Sequence, residues 1–152
     1  MVTHLRRLFA YEFEITERVI SAVQRAGTCE HAQGALRQAA HIIATRSCWL
    51  ERIDTGNSAH VDIWPQKDIG PLRDMDLATQ LRFQIILSNM DEAYLRRTLR
   101  YRSYEGEVCE RSMLDILTHI VVHSAYHRGY VNTFLKACGR SPVNSDFIVW
   151  AE

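Results

Sequence analysis

Apolar residues recur at three- and four-residue intervals through four long segments of the chain, the pattern of amphipathic helices. The first predicted helix runs from about Thr3 to Ala26, with Leu5, Leu8, Phe9, Phe13, Ile15, Val19, Ile20 and Val23 on a broad apolar stripe. Thr28 or Glu30 opens the second, which continues to about Ile53 through Ala39, Ile42, Ile43, Trp49 and Leu50. The third is expected to begin at Asp74 or Asp76, with Leu77, Leu81, Ile85, Leu87, Leu95 and Leu99 facing inward. The fourth has the best-marked boundaries. Ser112 is a good N-cap with Asp115 three residues on, and Gly139 followed by Pro142 stops the helix.

Four such segments, with no alternating strand pattern of comparable weight, predict an all-α fold: a four-helix bundle in one domain over residues 1–152. The connection over residues 55–73 carries Trp64-Pro65 and Gly70-Pro71, so it is read as continuing neither neighbouring helix. A connection of that length often serves as a lid or binding loop. This one delivers Trp64, either to cap the core or to meet a substrate. Tyr101–Glu110 reads as a short hairpin or extended turn. Phe147, Ile148, Val149 and Trp150 make the C-terminal tail too apolar to hang free, so it should dock on the bundle or on a second subunit.

Composition narrows the function classes. Eighteen basic residues balance eighteen acidic ones with no long run of either sign. That disfavours general nucleic-acid binding, which neutralises many phosphates, and electrostatic recruitment to a membrane. No apolar stretch is long enough to span a bilayer. Cys29, Cys48, Cys109 and Cys138 are scattered without a CxxC pair, and no signal-peptide pattern is present. The expectation is four reduced thiols in a cytoplasmic protein.

The chemistry concentrates in the fourth helix. His119, His123 and His127 are spaced by four, so successive imidazoles rotate by only about 40° and share a face. All three cannot bind one ion, because eight residues rise about 12 Å while metal–nitrogen bonds are near 2.1 Å. Spacing leaves His119/His123 and His123/His127 both open as the ligand pair. His41, set among Ala39, Ala40 and Ala44 on the second helix, is the leading candidate for a third ligand. Three neutral imidazoles would leave one or two positions for water or substrate, the open pattern of catalytic zinc or nickel sites.

These residues resemble the DinB-like family, within the superfamily that includes the YfiT-type thiol transferases. The family's fourth-helix signature, close to HxxNHxxYHRGQ, is similar to His119-Ile-Val-Val-His123-Ser-Ala-Tyr126-His127-Arg128-Gly129-Tyr130. A second-helix histidine followed by Trp and Arg looks like His41, Trp49 and Arg52, and the Pro…Asp-Phe ending like Pro142, Asp146 and Phe147. The resemblance implies metal ligands at His41, His123 and His127, an up-down-down-up bundle, and His119 outside the immediate coordination shell. It implies a divalent ion, zinc or nickel foremost with iron or manganese as alternatives. It also implies a small-molecule substrate, in particular a low-molecular-weight thiol in a transfer reaction, and a homodimer. Metal-assisted hydrolysis, or a stress-response or interaction module whose metal supports no turnover, are the competing expectations. Val122 and Tyr130 replace the usual Asn and Gln beside the ligands, which bears on substrate rather than on metal.

Overall fold

The computed structural model of the chain describes residues 1–151. It is mostly helical, with six helices and one two-stranded sheet among the described residues. The four long helices are α1 (Val2–Ala26), α2 (Ala32–Thr55), α3 (Ile69–Asn89) and α5 (Met113–Ala137). Between α3 and α5 lie the short helix α4 (Glu92–Arg96) and the hairpin of β1 (Thr98–Arg102) and β2 (Val108–Ser112). Its antiparallel register sets Thr98 opposite Ser112 and Arg102 opposite Val108. A single turn, α6 (Phe147–Trp150), closes the tail. No helix is long and apolar enough to cross a membrane among the described residues.

The first two helices follow the predicted pattern. Leu5, Phe9, Phe13, Ile15, Val19, Ile20 and Val23 are buried from α1, and Ala39, Ile42, Ile43, Trp49 and Leu50 from α2. The second starts slightly later than expected, with His31 rather than Thr28 or Glu30 at the cap position. At the head of α5 the Ser112 hydroxyl accepts from the Asp115 amide, satisfying one of the free donors of the first turn. Gly139, at φ 65°, follows the helix in the left-handed region that most residues avoid.

The third helix departs from the expectation in both extent and facing. It begins at Ile69, because Gly70-Pro71 falls within its first turn, where proline's missing N–H costs nothing. It stops at Asn89, so Leu95 and Leu99 belong to α4 and β1, where both are buried. Leu77, Leu81 and Ile85 face outward, at 58%, 53% and 64% exposure. The inward face is Leu72, Asp76, Thr79 and Phe83 together with Leu87, which is buried as expected. Asp76 disguised it: its carboxylate is buried because Arg46 of α2 pairs with it and Gln80 donates to its other oxygen. Glu12 of α1 and Arg128 of α5 form a second fully buried pair, with Tyr11 also contacting the guanidinium.

Contacts between helix ends order the bundle. Arg73, early in α3, reaches Glu17 and Ser21, late in α1. Arg6, early in α1, donates to the carbonyls of Leu87 and Met90 at the far end of α3. Arg82 spans to Glu51 and Asp54 of α2. Along the α2–α5 seam His41 meets His127 and Trp49 meets His119. Near one end of that seam the helices approach closely at Gly34, where an added Cβ would stand 2.6 Å from the ring of Phe134 and force that ring to shift.

At that same end the expectation of four reduced thiols fails. Cys29, in the α1–α2 turn, and Cys138, just past α5, are brought to a Cα separation of 5.7 Å and form a disulfide across 109 residues. Sequence distance concealed the pair, while packing of the helix ends creates it. Cys48 and Cys109 are free. The tail docks as predicted through its aromatic residues. Phe147 and Trp150 pack against Tyr11, the Trp150 indole donates to Glu14, and Ile148 and Val149 remain exposed.

Candidate metal centre

His41 leaves α2 from a run of small, buried residues, Ala39, Ala40 and Ala44, which lets α5 approach closely. His123 and His127 leave α5 one turn apart on the face toward α2. One nitrogen from each of the three rings lies within 4.8 Å of the others, a group that could hold a metal ion. Ring centroids are 4.3 Å apart for His41 and His127, 4.4 Å for His123 and His127, and 5.1 Å for His41 and His123.

The outer nitrogens are fixed from behind. Nδ1–H of His41 donates to the carbonyl of Ile63 at 2.6 Å, and Nδ1–H of His127 donates to Oε1 of Gln38 at 2.7 Å. Each bond sets the tautomer and turns Nε2, with its lone pair, toward the shared space. Nδ1 of His123 is buried without a partner. An orphaned imidazole nitrogen inside a histidine cluster fits a group that could hold a metal ion.

Electrostatics keep these rings neutral. Burial, followed by the charges of His127, His41 and His119, pushes His123 from an ordinary value of 6.5 down to about 3. Burial and then His41 lower His127 to about 4. His41 is lowered chiefly by burial, its bond to Ile63 opposing that shift. Neutral imidazole is the form that ligates a metal.

The connection over residues 55–73, shortened to 56–68 by the early start of α3, covers the site. Trp64 lies flat on His41, with centroids 3.7 Å apart and planes within 8°, and Arg37 stacks on Trp64 at 5.0 Å. Trp64 is thus a wall of the site, stacked on His41. Its neighbour Ile63 supplies the carbonyl that orients His41, and sequence pattern carried no signal for that backbone contact. Gln38 was also missed. Its one available signal was position, a polar residue one turn before His41 on a helix otherwise lined with alanine.

The remaining residues singled out in the sequence sort by contact. His119 is exposed, its ring 5.4 Å from His123 and edge-on to Trp49, and it stands outside the three-histidine group. Arg128 is committed to Glu12. Asp146, of the Pro…Asp-Phe ending, stands at the cap position of α6, because the tail docks along α1. Tyr126 and Tyr130 are exposed and share a 2.8 Å hydroxyl bond beside His127; Val122 is exposed as well. The buried thiol of Cys48 contacts Ser58 and the Tyr104 hydroxyl, away from the histidines.

Protein DinB of Bacillus subtilis (strain 168) is 24% identical over 81 residues, covering 53% of this chain and 46% of that protein. The match therefore spans less than half of the relative's length. The model of the DinB family matches residues 6–152, and the chain belongs to that family.

Proposed function

We propose that this protein is a divalent-metal-dependent enzyme whose ion is held by His41, His123 and His127, with thiol-dependent transfer as its reaction. The convergence of three neutral imidazoles, two of them oriented through their outer nitrogens, carries the reading. The contacts among α1, α2, α3 and α5 support the up-down-down-up bundle of the family as the frame that brings α2 and α5 together. Zinc and nickel suit an all-imidazole set best, with iron or manganese as alternatives.

A bound divalent ion would act as a Lewis acid and lower the pKa of a water or thiol at its open position. The protein's own part is to hold the rings neutral, to fix two of them through Ile63 and Gln38, and to wall one side with Trp64. His119 and Asp146 both stand outside the group, which favours an open site over a closed structural one. No carboxylate joins the group among the described residues, which supports thiol transfer ahead of general-base hydrolysis. The test is metal analysis of untagged protein, followed by assay of the zinc- and nickel-loaded forms with cellular thiols and electrophilic acceptors. Thiol consumption that requires metal supports the reading. A fully loaded protein that turns over no thiol, yet hydrolyses esters or amides, replaces it with the hydrolase.

A further inference from the structure

Several arginines that join the helices are paired within the chain: Arg46 with Asp76, Arg73 with Glu17, Arg82 with Glu51 and Asp54, and Arg128 with Glu12. Arg37 and Lys67 break that pattern. Arg37 of α2 and Lys67 of the connection line one cavity of about 350 Å³, with Trp64 and the amides of Gln33 and Gln66 on its other walls. The guanidinium carbon of Arg37 lies 5.0 Å from the Trp64 ring, which places that charge at the Trp64 wall. No acidic residue lines the cavity, and neither cation pairs with a carboxylate among the described residues. The nearest acids of the loop are off its wall. Asp62 accepts from the Trp64 amide, and Asp68 stands at the cap position of α3.

The backbone adds charge of the same sign. Gln33 lies in the first turn of α2, and Gln66 and Lys67 lead directly into α3. Gln33 and Leu36 share a neighbouring hollow with Ile69, the first residue of α3, so the two helix starts lie close together. Both helices begin without a side-chain cap bond and without an acid in the first turn. The free N–H groups and the positive end of the dipole at each start favour a negative ligand. Two full positive charges reinforced by two partial ones match a dianion better than a singly charged group. The guanidinium fork can hold two oxygens, and the ammonium and glutamine amides supply donors for the rest. A cavity of this size suits a small molecule. Trp64 touches both Arg37 and His41, so the cavity shares a wall with the metal centre.

We propose that this cavity binds a small-molecule dianion, a phosphate monoester or a dicarboxylate, held by Arg37 and Lys67. The pocket stands without a metal ion, so the test uses metal-poor His127→Ala beside the zinc-loaded wild type. The probes are phenyl phosphate and phenylsuccinate, both dianions at about pH 7.5, with phenylacetate as the monoanion and phenylacetamide as the neutral control. In both proteins the dianions should shift the indole resonance of Trp64 and leave those of Trp49 and Trp150 unmoved. They should bind about 10-fold more tightly than phenylacetate, and phenylacetamide should not compete. Arg37→Gln and Lys67→Gln should each weaken the dianions by about 10-fold, while Arg96→Gln, which removes an exposed cation of α4, changes nothing. Arg37 and Lys67 are exposed, so these variants keep the fold. Tighter binding of one dianion than the other supports the proposal and names the source of the charge. Equal affinity for dianion and monoanion, an equal loss in Arg96→Gln, or a shift at Trp49 in place of Trp64 overturns it. So does dianion binding confined to the zinc-loaded protein, which would assign the probe to the ion. A purely structural Arg37 would move the Trp64 resonance of the free protein and leave probe affinity unchanged, again overturning it. Dianion binding by a His127→Ala protein that holds as much zinc as the wild type would sink the metal reading alone.

Discussion

His127 and Arg128 are neighbours on α5, yet they enter two opposite kinds of buried polar cluster. Arg128 meets Glu12, and one α-helical turn past His41 on α2 Arg46 meets Asp76. Those clusters bring opposite charges together, although Nε of Arg128 and Nε and Nη1 of Arg46 remain without partners. The histidine cluster brings like groups together. It contains no counter-charge, its rings are held neutral, and one ring nitrogen has no partner. The first arrangement balances its charges within the chain; the second is a group that could hold a metal ion.

Breaking a buried charge pair should have the largest effect. Arg128→Met leaves Glu12 buried and unpaired and should cost about 3–5 kcal/mol, read from urea unfolding. The double variant Glu12→Leu/Arg128→Met should recover most of that loss, because removing both charges removes the unpaired one. If the double variant is as unstable as the single, the pair is not the self-contained unit described here.

The disulfide ranks next. It fastens the end of the α2–α5 seam nearest Gly34 and Phe134, and it closes a chain of 109 residues. Cys29→Ser/Cys138→Ser should lower stability by about 2–5 kcal/mol in metal-free protein. An unchanged urea midpoint on reduction would show that packing alone holds that end of the seam.

Gln38→Ala reaches the histidine cluster without touching the shared space. Zinc affinity should fall by about 10–100-fold, since His127 loses the acceptor that fixes its tautomer, while unfolding of the metal-free protein barely changes. Competition with a chromogenic chelator reads the constant. A loss of fold with no loss of affinity would assign Gln38 to packing.

The most gradual effect is the pH response of the metal-free protein, a slope rather than a step. His123 and His127 titrate near 6.5 when unfolded but at about 3 and about 4 when folded. Between those limits the unfolded chain binds more protons. Stability is therefore full above pH 6.5 and declines as pH falls toward 4 and then 3. The slope should flatten in His123→Gln/His127→Gln, measured by acid unfolding. An unaltered slope would place the sensitivity elsewhere.

The contrast between clusters also marks what the sequence could disclose. Ser112, Asp115 and Gly139 announce the ends of α5 through local capping chemistry, and the four-residue histidine spacing is visible without tertiary information. Asp76 shows the opposite case. Its burial depends on Arg46, thirty residues away, so a pattern of apolar residues pointed to Leu77, Leu81 and Ile85 and turned α3 inside out. Spacing could not choose between His119 and His127 as the partner of His123; the choice followed from the family resemblance, and the seam now shows His119 against Trp49 and His127 against His41. Cys29 with Cys138, Gln38 with His127, and Ile63 with His41 are all contacts made by packing, invisible to any local period.

The central claim, that the histidine cluster is completed by one cation, is met most directly by metal analysis of untagged wild type and His127→Ala, each dialysed against limiting zinc. The wild type should retain one ion per chain, and the variant should retain essentially none while unfolding at a similar urea concentration. Equal retention by both proteins, or an absence of metal in the wild type after exposure to zinc, nickel, iron and manganese, would contradict it.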